Sequence, residues 1–381
     1  MKHYCSTKFT DLQVHVQGRL LYNCCKAYPE RINLEWLEAN PGKLFHTDTM
    51  LEDRKLMLED KSCVSCHHGC YKYEEQGLSS ARLQQHNHEF ISDPDSPLKS
   101  LQISLSTDCN LTCMYCGPEW STSWQKDIEK NGNYELTDFK LKNDNWAKLW
   151  SKIKQKERSN ESKFFKLLLK EISLANGLES ITLLGGEPLL NNQLETLLEM
   201  SENKRIIIVT GLGVSSNRLA NLLKKTMNKK IKFRVSAEAT GSFFELIRYG
   251  ISWNDFQQRV RMISDHGHEI EFISTMSNIS LLDFTNFYET FGGRHTIRIN
   301  PLSERPFLMP HVLDDRSKRD FIDEIKSRNN VSQFQEISRL VNLDPSETDR
   351  SNLGNYLKEF SSRRSIDISF LPEHFRKWCG L

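Results

Sequence analysis

The stretch LQISLSTDCNLTCMYC, residues 101–116, joins a short apolar run to three cysteines. The run LQISL alternates apolar and polar residues, which predicts a β-strand. Cys109, Cys113 and Cys116 follow it within eight positions. Ten cysteines in a reducing compartment are unsuited to structural disulfides, so this clustering predicts metal or cluster ligation. Because ligands of parallel sheets bind beyond the carboxyl ends of the strands, the position after the strand agrees with that chemistry.

Similar β-rich runs recur later in the chain and alternate with amphipathic segments such as 161–175 and 191–202. This alternation predicts an α/β fold with parallel strands joined by crossover helices. Six βα units favour a partial, TIM-like (β/α)6 barrel, since a closed barrel has eight repeats and about 250 residues. The other five predicted strands are SITLL (180–184), RIIIVT (205–210), KFRVSA (232–237), EIEFIST (269–275) and TIRIN (296–300).

The chain has 381 residues, of which 38% are hydrophobic, so it is long enough for one large domain and an accessory module. We expect a cysteine-rich N-terminal module at 1–99 that contains a hairpin, a barrel at 100–310, and a helical extension at 311–381. The polar segment HEFISDPDSPLKS (88–100) carries two prolines and predicts the first boundary.

Charge and hydropathy exclude several partners. With 51 basic and 50 acidic side chains, the chain gives no long-range attraction to nucleic acid or to anionic membranes. The locally basic run at 224–234 is typical of a solvated helix end that leads into a strand. The N-terminus lacks an apolar signal region, and no apolar run approaches the roughly 18 residues of a membrane span. We therefore expect a cytoplasmic protein with neither a nucleic-acid nor a membrane partner.

Three thiolates can hold three corners of a [4Fe–4S] cluster and leave the fourth iron open for an exogenous ligand. Zinc also accepts thiolates at short spacing, but its structural sites normally have four protein ligands. The short pattern C-x3-C-x2-C leaves both alternatives open.

Beyond the cysteines, the sequence resembles the radical S-adenosylmethionine (radical SAM) superfamily in three segments. Tyr115 precedes the last cysteine of the triplet, as this family prefers. LLGGEPLL after the second strand matches the family's GGEP motif, and VSAEATGSFFELIRYG after the fourth strand resembles its ribose segment. The residues concerned are Gly185, Gly186, Glu187, Pro188, Ser236, Glu238 and Arg248.

The resemblance implies a role for each segment. The triplet would hold a [4Fe–4S] cluster, and SAM would supply the missing fourth ligand. The GGEP residues would receive the methionyl amino group, since glycines allow close approach and a carboxylate complements an ammonium. Ser236 and Glu238 would meet the ribose hydroxyls, and Arg248 would bind the SAM carboxylate. The alternative for Arg248 is an ordinary cation on a helix surface.

The N-terminal cysteines resemble the auxiliary modules called SPASM and twitch, in which C-x9-15-G-x4-C is followed by later cysteines. This resemblance implies a second [4Fe–4S] cluster on Cys5, Cys24, Cys63 and Cys66, which we name the front cluster. The spacing from Gly18 to Cys24 is one residue longer than the pattern, which leaves Cys25 as an alternative ligand. A zinc knuckle is the alternative for the whole site.

A recognisable subgroup carries such a module before the barrel, with the string CxxC…E..G..S.R. Here the string reads Cys63, Cys66, Glu74, Gly77, Ser80 and Arg82. Cys70, His67 and His68 are adjacent spare donors with at most an alternative-ligand role, and Cys379 is expected to be a free thiol.

The resemblance implies an enzyme that reductively cleaves SAM to a 5′-deoxyadenosyl radical, which then abstracts hydrogen from a substrate. The implied partners are an electron donor such as flavodoxin or ferredoxin and a peptide or protein substrate. The alternative substrate is a small molecule such as a sugar, nucleoside or antibiotic intermediate. A catalytically silent iron–sulfur protein is a third hypothesis, and the intact triplet and GGEP motif argue against it.

Overall fold

A computed structural model describes residues 2–24, 26–75, 77, 80, 82–83, 89–141, 158–201, 203–327 and 334–381. Its strands are β1 (Asp11–His15), β2 (Leu20–Tyr22), β3 (Glu30–Arg31), β4 (Ser100–Ser104), β5 (Thr112–Cys113), β6 (Ser180–Leu184), β7 (Arg205–Thr210), β8 (Ile231–Ser236), β9 (Arg248–Tyr249), β10 (Glu269–Met276) and β11 (Thr296–Pro301). Its helices are α1 (Thr7–Thr10), α2 (Leu34–Ala39), α3 (Asp48–Leu58), α4 (Lys72–Glu75), α5 (Thr122–Asn131), α6 (Arg158–Leu174), α7 (Gln193–Met200), α8 (Ser216–Lys225), α9 (Gly241–Ile247), α10 (Trp253–Asp265), α11 (Asn278–Leu281), α12 (Phe284–Phe291), α13 (Asp315–Ser327), α14 (Gln335–Val341), α15 (Glu347–Arg364) and α16 (Glu373–Cys379).

The first of two compact units contains residues 1–107 and 148–208. Its strands lie in the order β7-β6-β4-β1-β2-β3, and the first four are parallel. The centre of β6 is buried on both faces, with Ile181 and Leu183 on one face and Thr182 on the other, as expected for a parallel strand covered on both sides. The predicted hairpin forms from β1 and β2, and β1 also pairs with β4. The boundary expected near residue 99 stays a prediction.

The second compact unit contains residues 108–147 and 209–381. Its parallel strands lie in the order β11-β10-β8, while the short strands β5 and β9 form an antiparallel pair. Serine hydroxyls define the starts of several helices. Ser215 accepts the Arg218 amide at α8, and Ser252 accepts the Asp255 amide at α10.

All six strands predicted after residue 100 form, each within one residue of its predicted ends. The amphipathic segments predicted at 161–175 and 191–202 form α6 and α7. The α/β class with parallel strands is therefore confirmed. Among the described residues, no helix combines the length and the apolar character needed to cross a membrane.

Candidate functional site

The triplet loop of the second unit is fastened to the start of α5. The Cys109 amide donates to Thr122 Oγ1 at 3.1 Å, and the Ser123 hydroxyl donates to the Cys109 carbonyl at 2.8 Å. The indole of Trp124, which is fully buried, donates to the Cys113 carbonyl at 3.0 Å. The Leu111 amide donates to Cys109 Sγ at 3.4 Å.

The pairing of β5 with β9 brings Arg248 to this loop. Cys113 lies opposite Arg248 in the register, and the Met114 amide donates to the Ile247 carbonyl at 2.8 Å. The turn after β9 needs a glycine because Gly250 has φ +116°, and a Cβ there would lie 2.8 Å from the Asn110 carbonyl oxygen. This local constraint fixes the position of the arginine beside the cysteines.

Tyr115, Glu238 and Arg248 form one buried polar network with Cys113. Arg248 Nε donates to Glu238 Oε2 at 2.8 Å, and the Tyr115 hydroxyl donates to Glu238 Oε1 at 2.7 Å. Arg248 Nη1 donates to Cys113 Sγ at 3.7 Å. Glu238 and Arg248 are only 1% and 4% exposed. The structure therefore places these predicted residues together, with the guanidinium bound to the carboxylate rather than held apart from it.

Burial and charge act in opposite directions on this network. Burial raises the pKa of the Cys113 thiol, and the Arg248 guanidinium lowers it in part. Burial also raises the pKa of Cys116, which Arg305 lowers. For Arg248, burial is the largest effect and disfavours the charge, but Glu238, Tyr115 and Cys113 together outweigh it and raise the pKa.

The three thiols also act on one another, since charges on Cys116 and Cys109 raise the Cys113 pKa. Thiolates that repel one another need positive charge nearby, and the irons of a cluster supply it. The donor set of Cys109, Cys113 and Cys116 thus fits a [4Fe–4S] cluster. In the part of the chain that the structure describes, no three or more His, Cys, Asp or Glu side chains converge on a single ion.

Arg305, which the sequence interpretation missed, lies against the same loop from the segment after β11. Its Nη2 donates to the Cys116 carbonyl. The residue is 7% exposed, and its Nη1 is buried without a hydrogen-bond partner among the described residues. A Cβ on Gly117 would lie 3.0 Å from Arg305 Nη2, so the glycine makes room for this contact. A single arginine after a strand carries no recognisable sequence signal.

The other predicted pocket residue of this unit is Ser236, which ends β8 two positions before Glu238. It is only partly exposed. Its proposed ribose contact stays a prediction.

The GGEP motif lies in the first unit, directly after β6. Gly185 has φ +135°, and a Cβ there would lie 2.7 Å from the Ser106 carbonyl oxygen. The Gly186 amide donates to that same carbonyl at 2.9 Å. Glu187 is 2% exposed, and its Oε1 accepts the Leu189 amide at 3.2 Å, while Pro188 starts the short turn Pro188–Leu190. Glu187 therefore caps its own turn as well as presenting a carboxylate.

The front cysteines lie in the first unit and have free thiols. Cys5 and Cys63 are buried with Phe9, Met57 and Tyr71, and Cys66 packs against that cluster of side chains. A hydrogen bond with Cys66 lowers the pKa of Cys63 to about 6, and the same bond raises the pKa of Cys66. Burial raises the pKa of Cys5, and Cys24 raises it further.

These electrostatic interactions place Cys5 near Cys24 and Cys63 near Cys66. These interactions link the four cysteines as two pairs, and Cys5 and Cys63 share one buried cluster of side chains. Free thiols are the donors that an iron–sulfur cluster uses, so the donor chemistry fits, while the convergence of all four on one cluster stays a prediction. Cys25 lies outside the described residues. Cys70 is buried beside the site, and Cys379 is a buried thiol of the second unit whose pKa burial raises to about 12.

Polar residues of the predicted string form a second network. Arg82 Nε donates to Glu74 Oε1 at 3.1 Å, and the Ser80 hydroxyl donates to that oxygen at 2.5 Å. Arg82 Nη1 donates to the Tyr4 carbonyl at 2.9 Å, next to Cys5. Gly77 has φ +72°, which suits the turn between Glu74 and Ser80.

Lys8 is a further residue that the sequence interpretation missed. It is fully buried, and its Nζ donates to Asp53 Oδ2 at 2.7 Å and to Ser65 Oγ at 2.6 Å. Burial disfavours the charge, but Cys66, Asp53 and Cys63 outweigh that effect and raise the pKa of Lys8. A lysine three positions after Cys5 looks like a surface residue in the sequence, so no pattern could have found it.

Comparisons with known proteins give limited similarity. No protein-family model matches the chain. It is 25% identical over 152 residues to a GTP 3′,8-cyclase of Clostridium acetobutylicum, with 39% of this chain and 38% of the relative covered. It is 23% identical over 206 residues to a GTP 3′,8-cyclase of Aquifex aeolicus, with 51% and 54% covered. The chain thus spans about half or less of the length of these curated relatives.

Two solved structures illustrate the structural similarity. Native anSMEcpe with bound AdoMet and Cp18Cys peptide has a TM-score of 0.39 and 15% identity, with 61% of this chain and 59% of that chain covered. Streptococcus suis SuiB bound to the precursor peptide SuiA has a TM-score of 0.37 and 17% identity, with 92% and 78% covered. Likeness at this level carries no argument about function.

Proposed function

We propose that the chain is a radical SAM enzyme. The observation that carries the proposal is the cysteine loop of the second unit, in which the Cys113 thiol joins the network of Arg248, Glu238 and Tyr115. The GGEP turn after β6 and the sequence similarity to two GTP 3′,8-cyclases support it. A catalytically silent protein would not need three cysteines that leave one iron open.

When bound, a [4Fe–4S] cluster and SAM supply the 5′-deoxyadenosyl radical that abstracts hydrogen from the substrate. The chain's own residues bind and orient these groups and exclude water. Cys109, Cys113 and Cys116 would hold the cluster. Gly185, Gly186, Glu187 and Pro188 would bind the methionyl ammonium, Ser236 and Glu238 would bind the ribose, and Tyr115 would be a further cofactor-binding residue.

Arg248 has two roles open to it in this proposal. The resemblance assigns it to the SAM carboxylate. Its hydrogen bonds to Glu238 and Cys113 assign it to the support of those two groups. Because a guanidinium has five N–H donors, it can support Glu238 with some and bind a ligand carboxylate with others.

We propose further that Cys5, Cys24, Cys63 and Cys66 hold the front cluster. All four ligands would be protein thiolates, so this cluster has no open iron for SAM. It then acts as an electron relay or as a wall of the substrate pocket. A flavodoxin or ferredoxin would supply the electron that cleaves SAM.

For the substrate we propose a peptide or protein side chain, which the resemblance to SPASM and twitch enzymes favours. A second candidate is a nucleotide or another small molecule. The names of both curated relatives favour it, since each is a GTP 3′,8-cyclase.

The test is anaerobic reconstitution with iron and sulfide, followed by SAM and dithionite and by mass spectrometry. The intact chain is expected to produce 5′-deoxyadenosine, and the variant with Cys109, Cys113 and Cys116 changed to alanine is expected to produce none. Parallel incubations with GTP and with the peptide fraction of a cell extract separate the two substrate classes. An intact, fully iron-loaded chain that produces no 5′-deoxyadenosine would contradict the proposal.

A further inference from the structure

The ammonium group of Lys8 is a buried charge in the first unit that no step of the proposed function uses. Its side chain is 0% exposed, against 9% for that of Asp53, its ion-pair partner. A buried ammonium is stable only when it is paired and fully hydrogen-bonded. Lys8 meets this requirement with Asp53 Oδ2 at 2.7 Å, Ser65 Oγ at 2.6 Å and Asn23 Oδ1 at 3.4 Å.

Ser65 connects this ion pair to two of the proposed cluster ligands. Its Oγ lies 3.7 Å from Cys63 Sγ and 4.0 Å from Cys66 Sγ. The hydroxyl donates its one proton to Asp53 and accepts a proton from Lys8. Only one hydroxyl group therefore separates the Lys8 charge from both sulfur atoms.

Asn23 connects the same lysine to a third ligand segment. Its Oδ1 accepts from Lys8, and the residue directly precedes Cys24. Its Nδ2 is buried without a partner among the described residues. Lys8 itself follows Cys5 by three positions on α1. All four proposed ligands thus belong to segments that meet around Lys8.

We propose that Lys8 raises the reduction potential of the front cluster and that Asp53 opposes it. This inference rests on the proposed function, in which Cys5, Cys24, Cys63 and Cys66 hold that cluster. A cluster with four thiolates is negatively charged, and reduction adds one more negative charge. A fixed positive charge in a low-dielectric surrounding stabilises the reduced form, and a fixed carboxylate destabilises it.

The experiment uses the full chain with Cys109, Cys113 and Cys116 changed to alanine, so that the front cluster is the one that reconstitution loads. Its midpoint potential is measured by redox titration with detection by electron paramagnetic resonance. Lys8→Met is expected to lower the equilibrium constant for reduction by roughly tenfold or more, which is a negative shift of about 59 mV for one electron. Asp53→Asn is expected to shift the potential in the positive direction.

Two further variants control for folding and for unspecific charge effects. The double variant Lys8→Met with Asp53→Asn leaves no buried charge without a partner. It should therefore fold and keep its cluster even if Lys8→Met alone loses the cluster. Its potential should lie below that of Asp53→Asn alone. Lys61→Met removes a lysine two positions before Cys63 whose side chain is 64% exposed. Water screens this charge, so the shift should be several-fold smaller.

Shifts of opposite sign for Lys8→Met and Asp53→Asn support the inference, since a merely structural role would not reverse its sign. The inference would be overturned by equal shifts of the midpoint potential in Lys8→Met and Lys61→Met. It would also be overturned if the double variant had the same midpoint potential as Asp53→Asn alone. Either result would leave the front cluster in place. Zinc or no metal at the front site would overturn both the inference and the front cluster. Production of 5′-deoxyadenosine by the unmodified chain would still stand in that case.

Discussion

The buried pair of Glu238 and Arg248 gives the sharpest test of how the second unit is built. Arg248→Met removes the guanidinium and leaves the carboxylate 1% exposed without its counter-charge. Removal of one partner of a buried ion pair typically costs about 3 to 5 kcal/mol in the free energy of unfolding. We expect Arg248→Met to fall in this range.

The double variant with Glu238→Gln separates the charge from the packing. An amide oxygen at this position still accepts from the Tyr115 hydroxyl at 2.7 Å and from the Thr275 amide at 3.3 Å. Because neutral replacement of a buried ion pair is often nearly neutral in stability, the double variant should recover most of the loss. The coupling free energy between the two sites should then be about 2 kcal/mol or more.

The assay is urea unfolding of the metal-free protein under anaerobic conditions, followed by circular dichroism. Arg298→Met is the matched control, since it removes an arginine whose side chain is 55% exposed and pairs with Glu271 at 3.6 Å. Glu271 is buried but keeps Arg234 at 2.6 Å and Lys232 at 3.4 Å in this variant, so loss of the exposed arginine should cost only about 0 to 1 kcal/mol. The reasoning would be refuted if Arg248→Met lost only that much free energy of unfolding, or if the losses of the two single variants simply added in the double variant. Either result would favour an Arg248 whose guanidinium binds the ligand and does not stabilise Glu238.

Three more predictions follow from the first unit. Glu187→Gln keeps an acceptor for the Leu189 amide but removes the charge. The SAM affinity measured by calorimetry should therefore fall by roughly tenfold to a hundredfold, as in Glu187→Ala. Unchanged affinity in the Gln variant would remove Glu187 from the site. Cys63→Ala with Cys66→Ala should lower the iron content by about four per chain and abolish substrate turnover while 5′-deoxyadenosine still forms, and limited proteolysis before residue 100 checks that the module is folded. Burial lowers the pKa of His15 to about 4, so the unfolded chain takes up its proton first and stability falls between pH 6.5 and 4. His15→Gln should remove about 3 kcal/mol of that loss, which urea midpoints measured across this pH range would show. If the variant loses as much stability on acidification as the unmodified chain, the burial argument is contradicted.

The strands could be predicted because their signal is local. SITLL and RIIIVT are apolar runs of strand length between polar turns, and each forms the strand expected. The pairing of β1 with β4 could not be predicted in this way. This pairing joins Asp11 to Ser100 across almost ninety residues. The periodicity of a strand does not indicate which distant strand it pairs with.

The candidate site divides in the same way. Spacing and order identified Tyr115, Glu238 and Arg248, and the structure brings all three together. The sequence could not show that Arg248 lies beside Cys113, because that contact depends on the antiparallel pairing of β5 with β9. Lys8 and Arg305 were missed for a related reason. Their importance comes from burial, and a charged side chain is assumed to be exposed until a fold encloses it.

The string from Glu74 to Arg82 shows how a sequence pattern without obvious chemistry acquires a physical meaning. None of its polar residues needs to bind iron, because Glu74 accepts hydrogen bonds from both Ser80 and Arg82. Arg82 then donates to the carbonyl of Tyr4, and the next residue is Cys5. The network therefore ties the segment after Cys66 to the segment that carries Cys5, and its hydrogen bond from Arg82 to Tyr4 spans 78 positions of the chain. A site whose ligands come from distant segments must hold them in place before the metal arrives, since closing such a loop costs entropy. In the proposed function, the string would therefore position Cys5 relative to the segment that follows Cys66.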